Sequence, residues 1–443
     1  MPYQNRPTVG IFTLGCKVNQ YESEAIAEGF EAAGVTVSSP DEACDVYVIN
    51  TCTVTAESDR KAGQLIRRAA AKNPNAYILV TGCHSQSDPA AVAKIPCVHY
   101  VCGNTNKLSV VDTALALLSG EKVAPSPIVC VEDVQSAPFE PMTITHFDRT
   151  RAYVKIEDGC ENRCTYCAIP NARGKVRSKP LAAAVAEVES LVRGGCREVV
   201  LTGIETASYG RDLDGVSLID LLEAVDRIEG LDRVRLGSLD PSLMRAPFVE
   251  RLAGLRTLAP HFHLSMQSGS ARILAAMKRK YNPEQALAGI ARLREAIPDV
   301  ELTTDFIVGF PSETDADFAD TMALAREAQF LQMHVFAYSR RAGTPAAAMA
   351  DQIAKQVKKE RSAALTALGA ELRHARLCRA MKEPVRPVLM ETFENGISVG
   401  HTKEFFEVAV RTDAALNGDL VSVRLTGVES GRLVGTLEGA YEQ

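Results

Sequence analysis

At 443 residues the chain is too long for one ordinary domain, and with 46% hydrophobic residues it can bury more than one core. A net charge of -6 does not mark a general nucleic-acid binder, although a local basic patch can sit inside it. The opening MPYQNRPTVG lacks the charged-then-apolar order of a secretory signal, and no apolar run reaches the length of a membrane span, so a cytoplasmic location with reduced thiols is expected for the 12 cysteines.

Three strand-like runs come first in the chain. TVGIFTLGC ends in Cys16, DVYVINTC in Cys52 and NAYILVTGC in Cys83. The helical patterns ESEAIAEGFEAAG and ESDRKAGQLIRRAAAKN separate them. Strand–helix–strand repetition demands parallel strands, and right-handed crossovers bring all three carboxyl ends to one edge. Three cysteines far apart in sequence should therefore meet in one crevice. Three separate half-buried thiols are the plainer alternative.

The stretch GEKVAPSPIVCVEDVQSAPFEPMTITHFDRT follows, with four prolines and little helical period, and reads as a linker. Next comes GCENRCTYC, which places Cys160, Cys164 and Cys167 at C-x3-C-x2-C spacing. A loop of Gly, Glu, Asn and Arg makes a poor core, so ligand thiolates are the better reading. Structural zinc normally closes its shell with four protein ligands, and no fourth Cys or His follows nearby. Three thiolates on a cubane iron–sulfur cluster leave one iron open to a substrate or second cofactor.

Six strand-like runs then alternate with helical patterns: AYVKIEDGC, CREVVLTGIET, DRVRLGSLDP, HFHLSMQSGS, VELTTDFIVGF and FLQMHVFAYSRRAGT. Six β–α units call for a parallel, barrel-like sheet with helices outside. The polar strand ends, Thr202, Glu205, Ser238, Asp240, Gln267, Ser268 and Tyr338, should share one rim with the cysteine loop. Basic residues gather at the proposed mouth: Arg173, Lys175, Arg177 and Lys179, then Arg272, Lys278, Arg279 and Lys280. Such groups suit phosphate contacts; a solvated helix face is the alternative. After a charged helix, VRPVLMETFENGISVGHTKEFFEVAVRT alternates about an Asn395–Gly396 hairpin turn and opens a small all-β unit.

Taken together, FTLGCKVNQYESEA, VINTCTVTAESDRKAGQ, VTGCHSQ, DGCENRCTYCAIPNARGKVRS, LTGIETASYGRD and TTDFIVGFPSET resemble the motifs of the radical S-adenosylmethionine (SAM) methylthiotransferases, over nearly the whole chain. The resemblance implies an α/β protein with an N-terminal parallel-sheet methylthiotransferase domain over 7–120, a linker over 121–146, a radical SAM partial (β/α)6 barrel over 147–378 and a small all-β TRAM-like domain over 379–443. Among the subfamilies, GCKVNQYESEA and NTCTVTAESDRKA are most similar to enzymes acting on N6-threonylcarbamoyladenosine beside the tRNA anticodon. Relatives that modify isopentenyl-adenosine or a ribosomal protein are the alternatives, and a non-catalytic iron–sulfur protein that binds RNA is a distant one.

The same resemblance implies two 4Fe–4S clusters and SAM as cofactors. Cys160, Cys164 and Cys167 would hold the cluster that cleaves SAM, and Cys16, Cys52 and Cys83 an auxiliary cluster that carries sulfur. Thr202, Gly203, Glu205, Ser238 and Asp240 would meet SAM. The implied partners are tRNA carrying threonylcarbamoyladenosine and an electron donor such as flavodoxin or ferredoxin, with no membrane. The substrate carboxylate calls for a cation, and Arg340 and Arg341 after the last barrel strand are the candidates; Arg173, Lys175 and Arg177 are those for RNA. The C-terminal unit departs from an RNA-binding composition: residues 382–443 hold 6 Lys and Arg against 10 Asp and Glu.

Overall fold

The computed structural model describes residues 6–121, 127–147 and 150–440. Its N-terminal sheet has six parallel strands: β1 (Thr8–Thr13), β2 (Thr36–Ser38), β3 (Val46–Thr51), β4 (Tyr77–Gly82), β5 (Tyr100–Cys102) and β6 (Ile128–Cys130), in the order β2-β1-β3-β4-β5-β6. Helices cover both faces, so β3 is buried along its whole length. Ile26 and Phe30 of helix Lys17–Ala32 pack on Val9, Val46 and Val48. Ile66 and Ala69 of helix Ala56–Lys72 pack on Tyr47, Ile49 and Val80 from the other side. Strand β6 lies within the stretch expected to be linker. At three residues on a sheet edge it is too short to show a period, and pairing with β5 rather than local pattern makes it a strand.

The second sheet system has the six strands expected of a partial barrel. They are β7 (Ala152–Lys155), β10 (Glu198–Thr202), β11 (Arg233–Leu236), β12 (His261–Gln267), β13 (Glu301–Val308) and β14 (Gln332–Ala337). Two further short strands, β8 (Glu157–Asp158) and β9 (Arg177–Ser178), pair antiparallel and bracket the cysteine loop. The parallel strands run β7-β10-β11 and β12-β13-β14, and single bridges at Val234–Leu258 and Leu239–Leu264 stitch the halves. One large core fills the space between strands and outer helices, from Val154 and Leu201 to Phe306 and Phe330.

Helix Lys355–Ala380 leads into a closed five-stranded barrel. Its strands are β15 (Val385–Glu394), β16 (Ile397–Thr402), β17 (Glu407–Arg411), β18 (Leu420–Glu429) and β19 (Arg432–Ala440), in the order β15-β16-β17-β19-β18. Asn395 and Gly396 both have positive φ, 52° and 75°, which is the two-residue hairpin turn their identities favour. The connecting helix serves two cores: Leu365 and Leu368 join the partial barrel, Leu377 and Ala380 the small one.

The two barrels are clasped at the amino-terminal rim of the first. Glu198, wholly buried, accepts from Arg235 Nε at 2.6 Å and lies 3.5 Å from Arg233 Nη1. The far ends of these arginines donate to carbonyls of the small barrel, Arg233 to His401 and Pro387, Arg235 to Thr402 and Lys403. Phe405 enters the same joint. It stacks between His261 and His401, with centroids 4.3 and 4.6 Å away, beneath the Arg151 and Arg235 guanidinium groups. Its φ of 78° is unusual for a bulky residue and is held by this packing. Among the described residues no helix is long and apolar enough to cross a membrane.

Burial alone would raise the Glu198 carboxyl, but Arg235, Arg151 and Arg233 outweigh it and hold it at about 2. Glu198→Gln should cost about 3–5 kcal/mol in urea denaturation near neutral pH, because it leaves buried guanidinium groups unpaired. The carboxylate's contribution is complete above the unfolded pKa of about 4.3 and fades as pH falls toward the folded value. The gap between wild type and variant should therefore stay constant from pH 8 to pH 6 and narrow below about pH 4.5. A gap that widens on acidification would show that another group governs the joint.

Candidate metal and substrate centre

The N-terminal cysteines meet as the strand order requires. Cys52 directly follows β3, Cys83 directly follows β4, and Cys16 caps the helix after β1. All three strands are adjacent and parallel. A Cβ on Gly15, whose φ is 104°, would lie 2.9 Å from the Cys52 sulfur, so only glycine lets the Cys16 turn approach that closely. The second set lies on the loop between β8 and helix Ile169–Arg173. Gly159 opens it with φ 90°, where a Cβ would collide with the Lys175 carbonyl at 1.8 Å. Arg163, at φ 51°, coils the loop so that the Cys167 amide donates to the Cys164 carbonyl at 3.1 Å.

A buried ion cluster joins the two sets. Arg173, six residues beyond Cys167, is wholly buried. Its Nε donates to the Cys83 sulfur at 3.2 Å and its Nη2 to Asn19 Oδ1 at 2.6 Å. Its Nη1 donates to Glu22 at 2.6 Å and to Asp158 at 3.1 Å. Lys155 bridges the same two carboxylates at 2.8 and 3.0 Å, and Lys107 completes the shell of Glu22. Glu22 and Lys107 come from the N-terminal sheet domain; Lys155, Asp158 and Arg173 come from the barrel. Burial would raise the Glu22 carboxyl, yet Arg173, Lys107 and Lys155 hold it well below the usual carboxylate range.

The donor chemistry fits iron–sulfur clusters. Among the described residues, the sulfurs of neither cysteine set all lie within 4.8 Å of one another. One tetrahedral zinc would draw its thiolates to about 3.8 Å, whereas a four-iron cubane takes one thiolate per iron and spreads them farther. Both sets receive hydrogen-bond donors on sulfur: Val54 N to Cys52 at 3.5 Å, and Arg279 Nη1 to Cys164 at 3.3 Å. Burial pushes the Cys52 thiol up to about 11, Cys160 up to about 12 and Cys167 up to about 11, so metal ligation by these groups would release protons.

Two cavities adjoin the cysteine loop. The first, of about 370 Å³, is lined by Asn162, Glu205, Arg211, Asp240, Arg245 and Lys280, among others. Glu205 accepts from Asn162 at 2.7 Å, and Asp240 pairs with Arg279 at 2.7 Å. Burial, with Asp240 adding to it, pushes the Glu205 carboxyl up to about 7. Thr202 ends β10 in buried surroundings, and Gly203 crosses so near Glu157 that a Cβ would lie 2.5 Å from its carboxylate. Ser238 is exposed beyond β11. The second cavity, of about 250 Å³, lies between the cysteine loop and the segment that follows Cys52. Cys167 and Tyr166 line one side, Val54 and Thr55 (just after Cys52) another, and Gln267, Asp305, Phe336 and Tyr338 the barrel wall. Val54 and Phe336 leave 55% and 50% of their surface exposed there, an apolar lining open to a planar ring.

Several expected contacts fall elsewhere. The sequence places Arg173 and Arg177 at an RNA-facing mouth, but both are buried; Arg177 donates to the Val134 and Arg173 carbonyls at 2.9 Å. Lys175 alone of the three is exposed. Arg341, expected to meet a substrate carboxylate, pairs with Asp59 at 2.6 Å and donates to Thr53 at 2.6 Å. Arg340 Nε donates to the Ala347 carbonyl at 2.7 Å. Charged residues in a basic run carry no local mark of burial, and the partners of these lie 15 or more positions away or on the backbone. Glu22 and Asp158 escape a sequence reading for the same reason, although both lie inside cysteine motifs.

Residues 154–325 match the radical SAM superfamily, and residues 8–103 match a family described as uncharacterized protein family UPF0004. The chain is 38% identical to the threonylcarbamoyladenosine tRNA methylthiotransferase MtaB of Bacillus subtilis, over 94% of this chain and 93% of that one. It is 41% identical to the Thermotoga maritima protein of the same name, over 80% of each. It is 35% identical to the tRNA-2-methylthio-N(6)-dimethylallyladenosine synthase of Pelotomaculum thermopropionicum, over 98% of each. In fold it is similar to the radical SAM methyltransferase TsrM of Kitasatospora setae, with a TM-score of 0.56, 17% identity, and coverage of 77% of this chain and 75% of that one.

Arg173→Met should lower stability by about 3–5 kcal/mol, since Glu22 and Asp158 stay buried with one cation fewer. Lys175→Met, two residues on and exposed, should stay within about 0.5 kcal/mol of wild type. Urea midpoints of the two variants decide it; equal shifts would mean that the ion cluster does not hold the domains together.

Proposed function

The chain belongs to the radical SAM methylthiotransferase family, and from that membership we propose that it replaces the C2 hydrogen of N6-threonylcarbamoyladenosine, beside the tRNA anticodon, with a methylthio group. The enzyme uses SAM and a 4Fe–4S cluster; the finer reading is two such clusters, one on Cys160, Cys164 and Cys167 and one on Cys16, Cys52 and Cys83. When bound, these groups supply a hydrogen-abstracting radical, and the sulfur and methyl that take the hydrogen's place. The observation that carries the reading is the cavity walled by Cys167 on one side and by Val54 and Thr55, just after Cys52, on the other.

The chain's own residues then have separable tasks. The Glu22–Arg173 ion cluster fixes the two cysteine sets relative to each other, so that one purine carbon can face both. Arg279 holds Asp240 and donates to the Cys164 sulfur, which ties the wall of the Glu205 cavity to the cysteine loop. That cavity, lined by Glu205 and Asp240, is the proposed seat of SAM; Thr202, Gly203 and Ser238 stand on the same strand ends but do not line it. Val54 and Phe336 offer apolar surface to the adenine ring, and Tyr338 closes the wall behind them. The purine C2–H bond offers nothing to a base, so the site needs position and exclusion of water more than a proton acceptor. Exposed Lys175, Lys278 and Lys280 remain for tRNA phosphates, and a small electron-transfer protein such as flavodoxin or ferredoxin is the proposed reductant.

Reconstituted protein should hold about eight irons per chain. Changing Cys160, Cys164 and Cys167 to Ala should leave about four irons and abolish 5′-deoxyadenosine release from SAM under dithionite. Changing Cys16, Cys52 and Cys83 should also leave about four, keep SAM cleavage and stop methylthiolation. Mass spectrometry of tRNA nucleosides from a deletion strain should show threonylcarbamoyladenosine without its methylthio form. Loss of the methylthio group from isopentenyl-adenosine instead would move the substrate to the sister subfamily.

A further inference from the structure

We propose that His263, Asp305 and His334 form a mononuclear site for a divalent transition metal, zinc or iron(II), on the wall of the partial barrel, using none of the six cysteines.

Three neighbouring parallel strands supply the ligands. His263 on β12 stands opposite Thr303 on β13, and Asp305, two residues on and facing the same way, stands opposite His334 on β14. One ligand atom from each of the three lies within 4.8 Å of the others. His263 Nε2 is 3.2 Å from the Asp305 carboxylate, and the two imidazole centroids are 5.9 Å apart. The second nitrogen of His263, Nδ1, lies 2.9 Å from the Thr303 hydroxyl. That contact fixes the ring and leaves Nε2 facing the group, as an outer-shell partner of a metal-bound histidine does. Arg151 and Arg235 are paired with Glu198; Lys17 is the cation whose field reaches Asp305 and His334.

Two neutral imidazoles and one carboxylate are a harder donor set than the thiolates above, and suit zinc or non-haem iron with open positions. Asp305 also lines the cavity beside Cys167, and His334 is exposed, so the open positions face a space that solvent and a ligand can enter. Nothing in the proposed methylthiolation requires this metal, so the site stands or falls independently of it.

The test uses reconstituted holoprotein, whose cysteines already hold iron. It is incubated with one equivalent of zinc sulfate, desalted, and assayed for zinc by mass spectrometry and zinc-edge X-ray absorption. One zinc per chain is expected, with nitrogen and oxygen neighbours at about 2.0–2.1 Å and no sulfur shell at about 2.3 Å. His334→Ala, an exposed change that spares the core, should lose that zinc while keeping its iron. Thr303→Val should weaken binding by about 10–100-fold. A sulfur shell, less than half an equivalent in wild type, or undiminished uptake by His334→Ala would overturn the site.

Discussion

Everything the two cysteine sets can do together depends on the ion cluster centred on Glu22 and Arg173. A carboxylate and a guanidinium so deeply buried are tolerated only when each finds several partners of opposite charge. Glu22 has three cations, and Arg173 has two carboxylates, an amide oxygen and the Cys83 sulfur. Neither domain supplies the whole of this set. The N-terminal sheet brings Glu22, Lys107 and Asn19; the barrel brings Lys155, Asp158 and Arg173. Each domain alone would expose or strand buried charge, so the cluster acts as a register between two otherwise separate α/β units.

A second joint settles the far end of the barrel. A partial barrel of six strands leaves an opening at its amino-terminal rim, and here Glu198, Arg233 and Arg235 would face water. The small β-barrel covers them with backbone carbonyls and with Phe405. This gives its acidic composition a structural context. Carbonyls and carboxylates, not surface cations, are what an arginine-lined rim requires, and Glu391 joins Arg151 in the same joint.

How much of this could be read in the sequence follows from how local each signal is. Strand period, the cysteine at each strand end and the Asn395–Gly396 turn are encoded within a few residues, and all appear where the pattern puts them. The assembly of Cys16, Cys52 and Cys83 was legible because handedness turns local strands into a shared edge. The fates of Arg173, Arg177 and Arg341 were not. Each sits in a polar run that would look the same on a solvated surface, and its burial depends on Glu22, Val134 or Asp59, which sequence spacing does not connect to it.

The location of Arg173 also constrains how the centre could have been built. Helix Ile169–Arg173 is a single turn and a half, with Cys167 just before it and the Cys83 contact at its end. No hinge fits in so short a rigid span, so the two cysteine sets cannot separate without breaking the ion cluster itself. Opening to admit a tRNA base must then come from side chains at the mouth, where Val54 and Phe336 are exposed, and from the loop that carries Val54. The cavity walls that would hold the chemistry are therefore the stiff part of the molecule, and its access the yielding part.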